Sequence, residues 1–132
     1  MQDSRDTAKE LAGLELFGSL DAGELARAAE LLEPVSAEAM TELVREGEHD
    51  PDLFLLTHGE VRVERIDAAS PGATDELATV GPGSILGEMA LLSDTDASAS
   101  VVASTNVRGY VCRADRFDEL MDLADLEDRV RD

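Results

Sequence analysis

The stretch Gly81-Pro82-Gly83-Ser84-Ile85-Leu86-Gly87-Glu88-Met89-Ala90-Leu91-Leu92 is the part of this 132-residue sequence whose reading decides the fold. Its glycines at 81, 83 and 87 allow positive φ and close approach of the backbone, and an apolar helical run comes at once after them. A helix that begins near Glu88 leaves its first amide N–H groups unpaired at the positive end of its dipole, an arrangement that suits a phosphate. An ionised carboxylate only accepts hydrogen bonds, so Glu88 on the first turn could hold a sugar hydroxyl. The plainer alternative is an acidic residue placed favourably on a helix N-terminus, within a turn that is purely structural.

Outward from this segment the chain has the texture of short strands. Leu53–Thr57, Val61–Ile66, Leu77–Val80, Val101–Ala103 and Val107–Cys112 are apolar or alternating runs separated by glycine and aspartate turns, and Met40–Arg45 is a further candidate. In Glu60–Glu64 the residues alternate with period two, which predicts Val61 and Val63 facing inward and the charges outward. The stretch Asp67–Asp75 is the best hairpin loop. Short antiparallel strands at regular spacing predict a mainly β fold, a double-stranded β-helix or jelly-roll barrel, with helices at both ends.

Before the strands, Leu25, Ala28, Ala29, Leu31 and Leu32 recur at helical spacing over Asp21–Glu33, with Asp21 and Glu24 in capping-box positions and Pro34 as the stop. Thr7–Leu16 is a second, shorter helix that Gly13 can break. After the strands, Phe117, Leu120, Met121 and Leu123 have helical spacing, Asp115 is the expected cap, and Leu126 and Val130 extend the apolar stripe. The expected organisation is a single domain over 1–132: N-terminal helices over 1–33, a β-barrel over 34–113 and C-terminal helices over 114–132.

Composition narrows the function. Eleven basic against 30 acidic residues give a net charge of −19, and Lys9 is the lone lysine. A nucleic-acid or anionic membrane surface needs clustered cations to release counterions, and this sequence has no such cluster, so neither nucleic acid nor membrane is an expected partner. Cys112 is the sole cysteine, which excludes an internal disulfide and a cysteine-based zinc site. Its neighbours Tyr110 and Val111 suggest a buried strand. With aromatics at 3%, Phe17, Phe54, Phe117 and Tyr110 are the expected core anchors. The start of the sequence is polar where a secretory signal would be apolar, and no apolar run approaches a membrane span, so the expected location is cytoplasmic.

In combination, Leu16-Phe17 and Leu20, Gly47 before a turn, Leu53–Leu56 leading to Gly59-Glu60-Val61, Gly83, Gly87–Leu92 and Asp115–Leu120 resemble the cyclic nucleotide-binding domain family. That family includes catabolite activator proteins, protein kinase A regulatory subunits and gated channels, and the resemblance covers roughly Leu14 to Met121. It implies a phosphate-binding cassette in which Glu88 holds a ribose hydroxyl and Ser98 contacts the phosphate. The implied ligand-binding set is Gly87, Glu88, Met89, Ala90, Ala97, Ser98 and Ala99, with a cyclic nucleotide, cyclic AMP or cyclic GMP, as ligand. One departure stands out. The family's proline–arginine pair falls on Asp96 and Ala97, so the cation that pairs with the phosphate is missing, and Asp96 puts a carboxylate nearby. Arg62, Arg65 and Arg108 lie on predicted strands and are the candidates to replace it, against the simpler reading of each as a surface arginine paired with an acid.

The expected function is therefore a non-enzymatic regulatory or sensor domain that binds a small anionic ligand weakly and relays it through the C-terminal helix. The alternative is a degenerate member that binds no nucleotide and serves as an interaction or dimerisation module, with a protein partner or a second copy docked on Leu120, Leu123, Leu126 and Val130. A cupin-type enzyme shares the jelly-roll architecture but needs a histidine-rich metal cluster, and His49 and His58 alone do not supply one. No metal and no catalytic residue are expected.

Overall fold

The computed structural model describes residues 4–66, 69–70, 73–123 and 126. Two helices open the chain, α1 (Ser4–Ala12) and α2 (Ala22–Leu31), with a 3-10 turn over Glu15–Phe17 between them. Gly13 does separate the first helix from this turn. The predicted capping box forms: the Glu24 amide donates to Asp21 Oδ1 at 2.8 Å and the Asp21 amide to Glu24 Oε1 at 3.0 Å. α2 stops at Leu31, ahead of Pro34.

Eight strands come next: β1 (Glu33–Ala37), β2 (Glu42–Val44), β3 (Leu53–His58), β4 (Val61–Ile66), β5 (Thr74–Val80), β6 (Ile85–Leu86), β7 (Ser100–Ala103) and β8 (Val107–Cys112). They make two four-stranded antiparallel sheets, in the orders β1-β8-β3-β6 and β2-β7-β4-β5, the jelly-roll arrangement expected, built as two facing sheets. β1 carries Pro34 because it is an edge strand, where a missing N–H breaks no ladder. Met40 is not in a strand; it sits in the turn before β2 with φ +75°. Thr74 and Asp75, assigned above to the hairpin loop, open β5, and the loop residues 67, 68, 71 and 72 lie outside the described residues.

Two apolar clusters hold these layers. β3 is buried on both sides, and its alternation splits the work. Phe54 and Leu56 pack between the sheets with Val44, Val61, Val101 and Val107, whereas Leu53 and Leu55 face the helices with Phe17, Leu31, Tyr110 and Phe117. All four expected aromatic anchors are buried. Gly109 on β8 is where β3 passes closest: a Cβ there would lie 2.0 Å from the Leu55 carbonyl oxygen.

The C-terminal part is a 3-10 turn over Ala114–Arg116 leading into a short helix, Phe117–Met121. Asp115 does not cap it. The cap comes from Asp52, whose carboxylate accepts the Ala114 amide at 2.9 Å across 62 positions of sequence. Leu120 and Leu126 are fully buried in the helix-side cluster, and Leu123 packs against it. The stripe considered above as a docking surface is thus intramolecular core, while Val130 lies outside the described residues.

Candidate functional site

The decisive stretch begins in a turn anchored to β3. The Gly83 amide donates to the Leu56 carbonyl at 2.7 Å, and the Leu56 amide to the Ser84 carbonyl at 2.9 Å. Gly87 then enters α3 (Glu88–Ser93) with φ +88°, and a Cβ there would stand 2.8 Å from the Asp52 carbonyl oxygen. Only glycine fits both the dihedral and the approach. Asp94 ends the helix in the left-handed region, and the chain doubles back: the Thr95 amide donates to the Ala90 carbonyl at 3.0 Å. The helix at Phe117–Met121 is accordingly α4 in chain order.

The returning segment is stitched to the turn between β2 and β3. Gly47 donates to the Ala97 carbonyl at 2.8 Å, Ala97 donates to the Glu48 carbonyl at 2.9 Å, and Glu46 donates from its amide to Ser100 Oγ at 2.9 Å. Beside this seam lies an open cavity of about 410 Å³. Gly87, Glu88, Met89, Ala90, Ala97, Ser98 and Ala99 all line it, so every residue singled out from the sequence converges on one space. Val44, Val63, Val80 and Val101 give it an apolar wall. The size and the mixture of apolar wall and few polar groups are those of a small-molecule site.

Glu88 is half-buried at this cavity. Burial raises its carboxyl above the ordinary range, and a hydrogen bond from its own backbone amide partly offsets the rise. The carboxylate therefore gains from any hydroxyl that enters to donate to it. Ala97 is buried, its methyl packed in the inter-sheet cluster. Asp96 departs from expectation: it does not line the cavity but turns outward, where His49 Nδ1 lies 3.0 Å from its Oδ1. The imidazole of His49 is raised above its usual value by that hydrogen bond and by Asp50 at 3.3 Å. The carboxylate that would oppose an anion is thus engaged outside.

Among the described residues that line the cavity none is basic. Of the three arginines considered as replacements, Arg62 pairs with Glu64, and Arg108 stands 3.4 Å from His58 beside a separate cleft that includes Thr57 and Tyr110. Arg65 alone of the three reaches the cassette, donating from Nε to the Ser98 carbonyl at 3.2 Å. Asp52 is the participant that sequence reasoning missed. It touches Gly87 through its carbonyl and the C-terminal turn through its carboxylate, and no local pattern signals either contact.

Cys112 is buried on β8, and burial pushes its thiol up to about 11, far from a nucleophilic thiolate at neutral pH. Among the described residues no group of three or more His, Cys, Asp or Glu side chains is placed to hold a metal ion, and no helix is long and apolar enough to cross a membrane.

Known proteins share this architecture. Acetyltransferase Pat of Mycolicibacterium smegmatis is 35% identical over 123 residues, which cover 93% of this chain and 36% of that protein. A solved cAMP-binding acyltransferase from Mycobacterium smegmatis matches 96% of this chain with 32% identity and a TM-score of 0.76, the match covering 39% of the longer chain. The fold is also that of the regulatory subunit of a cAMP-independent protein kinase A from Trypanosoma brucei, with a TM-score of 0.86 at 23% identity over 97% of this chain and 46% of that one. The chain therefore spans well under two thirds of each of these relatives. The model of the Cyclic nucleotide-binding domain matches residues 34–123, from β1 through the cassette to the end of α4. With the jelly-roll sheets, the Gly87–Ala90 turn and the Ala97–Ala99 return all in that span, this chain belongs to the cyclic nucleotide-binding domain family.

Proposed function

We propose that residues 1–132 form one non-enzymatic regulatory domain, acting in the cytoplasm, that binds a small anionic ligand of the cyclic nucleotide type weakly and passes the event through its C-terminal helix to a partner protein or domain. The observation that carries this reading is the convergence of Gly87–Ala90 and Ala97–Ala99 on one cavity of about 410 Å³ whose wall is apolar. In this reading Glu88 accepts the ribose hydroxyl, the apolar wall takes the base, and Ser98 and the nearby amides meet the phosphate. The similarity to a cAMP-binding acyltransferase supports the choice of nucleotide.

Weakness is the consequence of Ala97. A guanidinium gives a phosphate two parallel charged hydrogen bonds, and bonds to charged groups contribute about 1.5–3 kcal/mol each. A methyl group gives none. The route outward runs through Asp52, which touches the cassette at Gly87 and caps the turn that leads into α4.

Isothermal titration calorimetry with cyclic AMP, cyclic GMP and cyclic dinucleotides tests the proposal on the native protein and on Ala97→Arg. Native binding weaker than micromolar is expected, with a gain of about 10- to 100-fold for a mononucleotide in the variant. Micromolar or tighter native binding would show that the pocket is complete without the arginine. Absence of binding in both proteins would remove the ligand reading.

A further inference from the structure

The cavity lacks a cation at position 97, but one stands on the neighbouring strand. Val61, Val63 and Arg65 share a face of β4. Val61 is fully buried between the sheets and Val63 lines the cavity, so this is the inner face. Arg62 and Glu64, on the other face, pair with each other. The register of β4 with β7 runs without a break from Val61↔Ala103 to Glu64↔Ser100. Just past the last pair, Arg65 reaches the Ser98 carbonyl, and Ser98 lines the cavity. The irregularity of β4 lies on its β5 side and leaves this alignment intact.

A hydrogen bond ties Arg65 to the cassette. Its Nε donates to the Ser98 carbonyl at 3.2 Å, which uses one of five N–H donors and leaves the guanidinium beside the cassette. Among the described residues Arg65 forms no ion pair. Asp75 is its register partner on β5, yet the two do not pair, and the carboxylate of Glu46 is taken by the Ile66 amide at 2.8 Å. Asp96 is held outside by His49. In a chain with net charge −19, an exposed guanidinium bonded to the cassette and without an ionic partner among the described residues calls for a use.

We propose that Arg65 is the specificity-determining residue of this pocket: it supplies from β4 the positive charge that Ala97 cannot, and selects a ligand with an anionic group over the same ligand without one. The inference rests on the cavity being the ligand site, as proposed above. Arg65 is exposed, so its field is screened by salt over about 8 Å at physiological ionic strength. The selectivity it confers is accordingly modest and falls as salt is raised.

The test is a nuclear magnetic resonance titration of the full chain with cyclic AMP and cyclic GMP, each beside its matching nucleoside, adenosine or guanosine. In the native protein at least one cyclic nucleotide binds about 10-fold tighter than its nucleoside, the fold-change of one weak charged hydrogen bond. Arg65→Ala abolishes that preference, the cyclic nucleotide losing more affinity than the nucleoside. Arg65→Gln, which keeps a donor for Ser98 but removes the charge, does the same, and Ala97→Arg placed on Arg65→Ala restores the preference. Equal native affinity for nucleotide and nucleoside, or a preference that survives both substitutions, overturns the role of Arg65 while leaving the cavity as the binding site. Absence of shifts at cavity residues with all four compounds overturns the site itself, and the proposal with it.

Discussion

Replacing Gly87 with alanine tests the geometry of the cassette most directly, because two separate costs meet there and a neighbouring glycine carries just one of them. At Gly87 φ is +88° and an added Cβ would lie 2.8 Å from the Asp52 carbonyl oxygen. At Gly83 φ is +93° and an added Cβ meets nothing within 4 Å. The left-handed dihedral alone costs an L-residue about 1–2 kcal/mol, so Gly83→Ala should lose that much. Gly87→Ala should lose the same amount plus the cost of forcing backbone apart, about 1–3 kcal/mol for an overpacked methyl. For a chain of this length 1 kcal/mol corresponds to roughly 4 °C, so the two variants should melt roughly 4–12 °C apart. Thermal unfolding monitored by circular dichroism measures the difference. Melting of the two variants within about 2 °C of each other would refute the tight contact between the cassette and Asp52.

Three further outcomes are expected. Burial raises the Glu88 carboxyl, so the charged form costs stability once pH passes the ordinary carboxylate value of 4.5; Glu88→Gln should therefore melt higher at neutral pH and lose that advantage below pH 4.5, while binding a ribose-containing ligand less well. The His49 ring should titrate above 6.5 in the native protein and move down in Asp96→Asn; the contribution of the charged pair is complete below pH 6.5 and disappears as pH rises through the raised value, and an unmoved ring titration in the variant would contradict the pairing. With its thiol raised from 9.0 to about 11, Cys112 should resist Ellman's reagent in the native protein at about pH 8 and react promptly in denaturant; prompt native reaction would mean that β8 opens readily.

Local chemistry explains which features were legible in the sequence. The capping box at Asp21 and Glu24, the break at Gly13 and the alternation of Val61 and Val63 each depend on neighbours a few positions away, and each formed as expected. β1 escaped notice because an edge strand can tolerate a proline and remain largely exposed, so Glu33–Ala37 carries no strand-like pattern. β6 is two residues long and is defined by pairing with Phe54 and Leu55 rather than by propensity. In the candidate site, the residues from Gly87 to Ala99 could be picked out by glycine spacing and resemblance. The orientation of Asp96, the reach of Arg65 and the cap from Asp52 could not, since each depends on a partner 33 to 62 positions away. Asp115 was mistaken for a cap for the same reason: sequence pattern offered a nearby acid, and the fold used a distant one.

The double engagement of Asp52 joins the cassette loop and the C-terminal turn through a single residue. One residue has its carbonyl wedged against Gly87 and its side chain holding the Ala114 amide, so the glycine and the start of the terminal turn are separated by a single link rather than by a layer of core. Asp52 is itself exposed, so this link runs along the surface beside the core rather than through it. A change at the loop and a change at the terminal turn therefore meet at one residue, position 52.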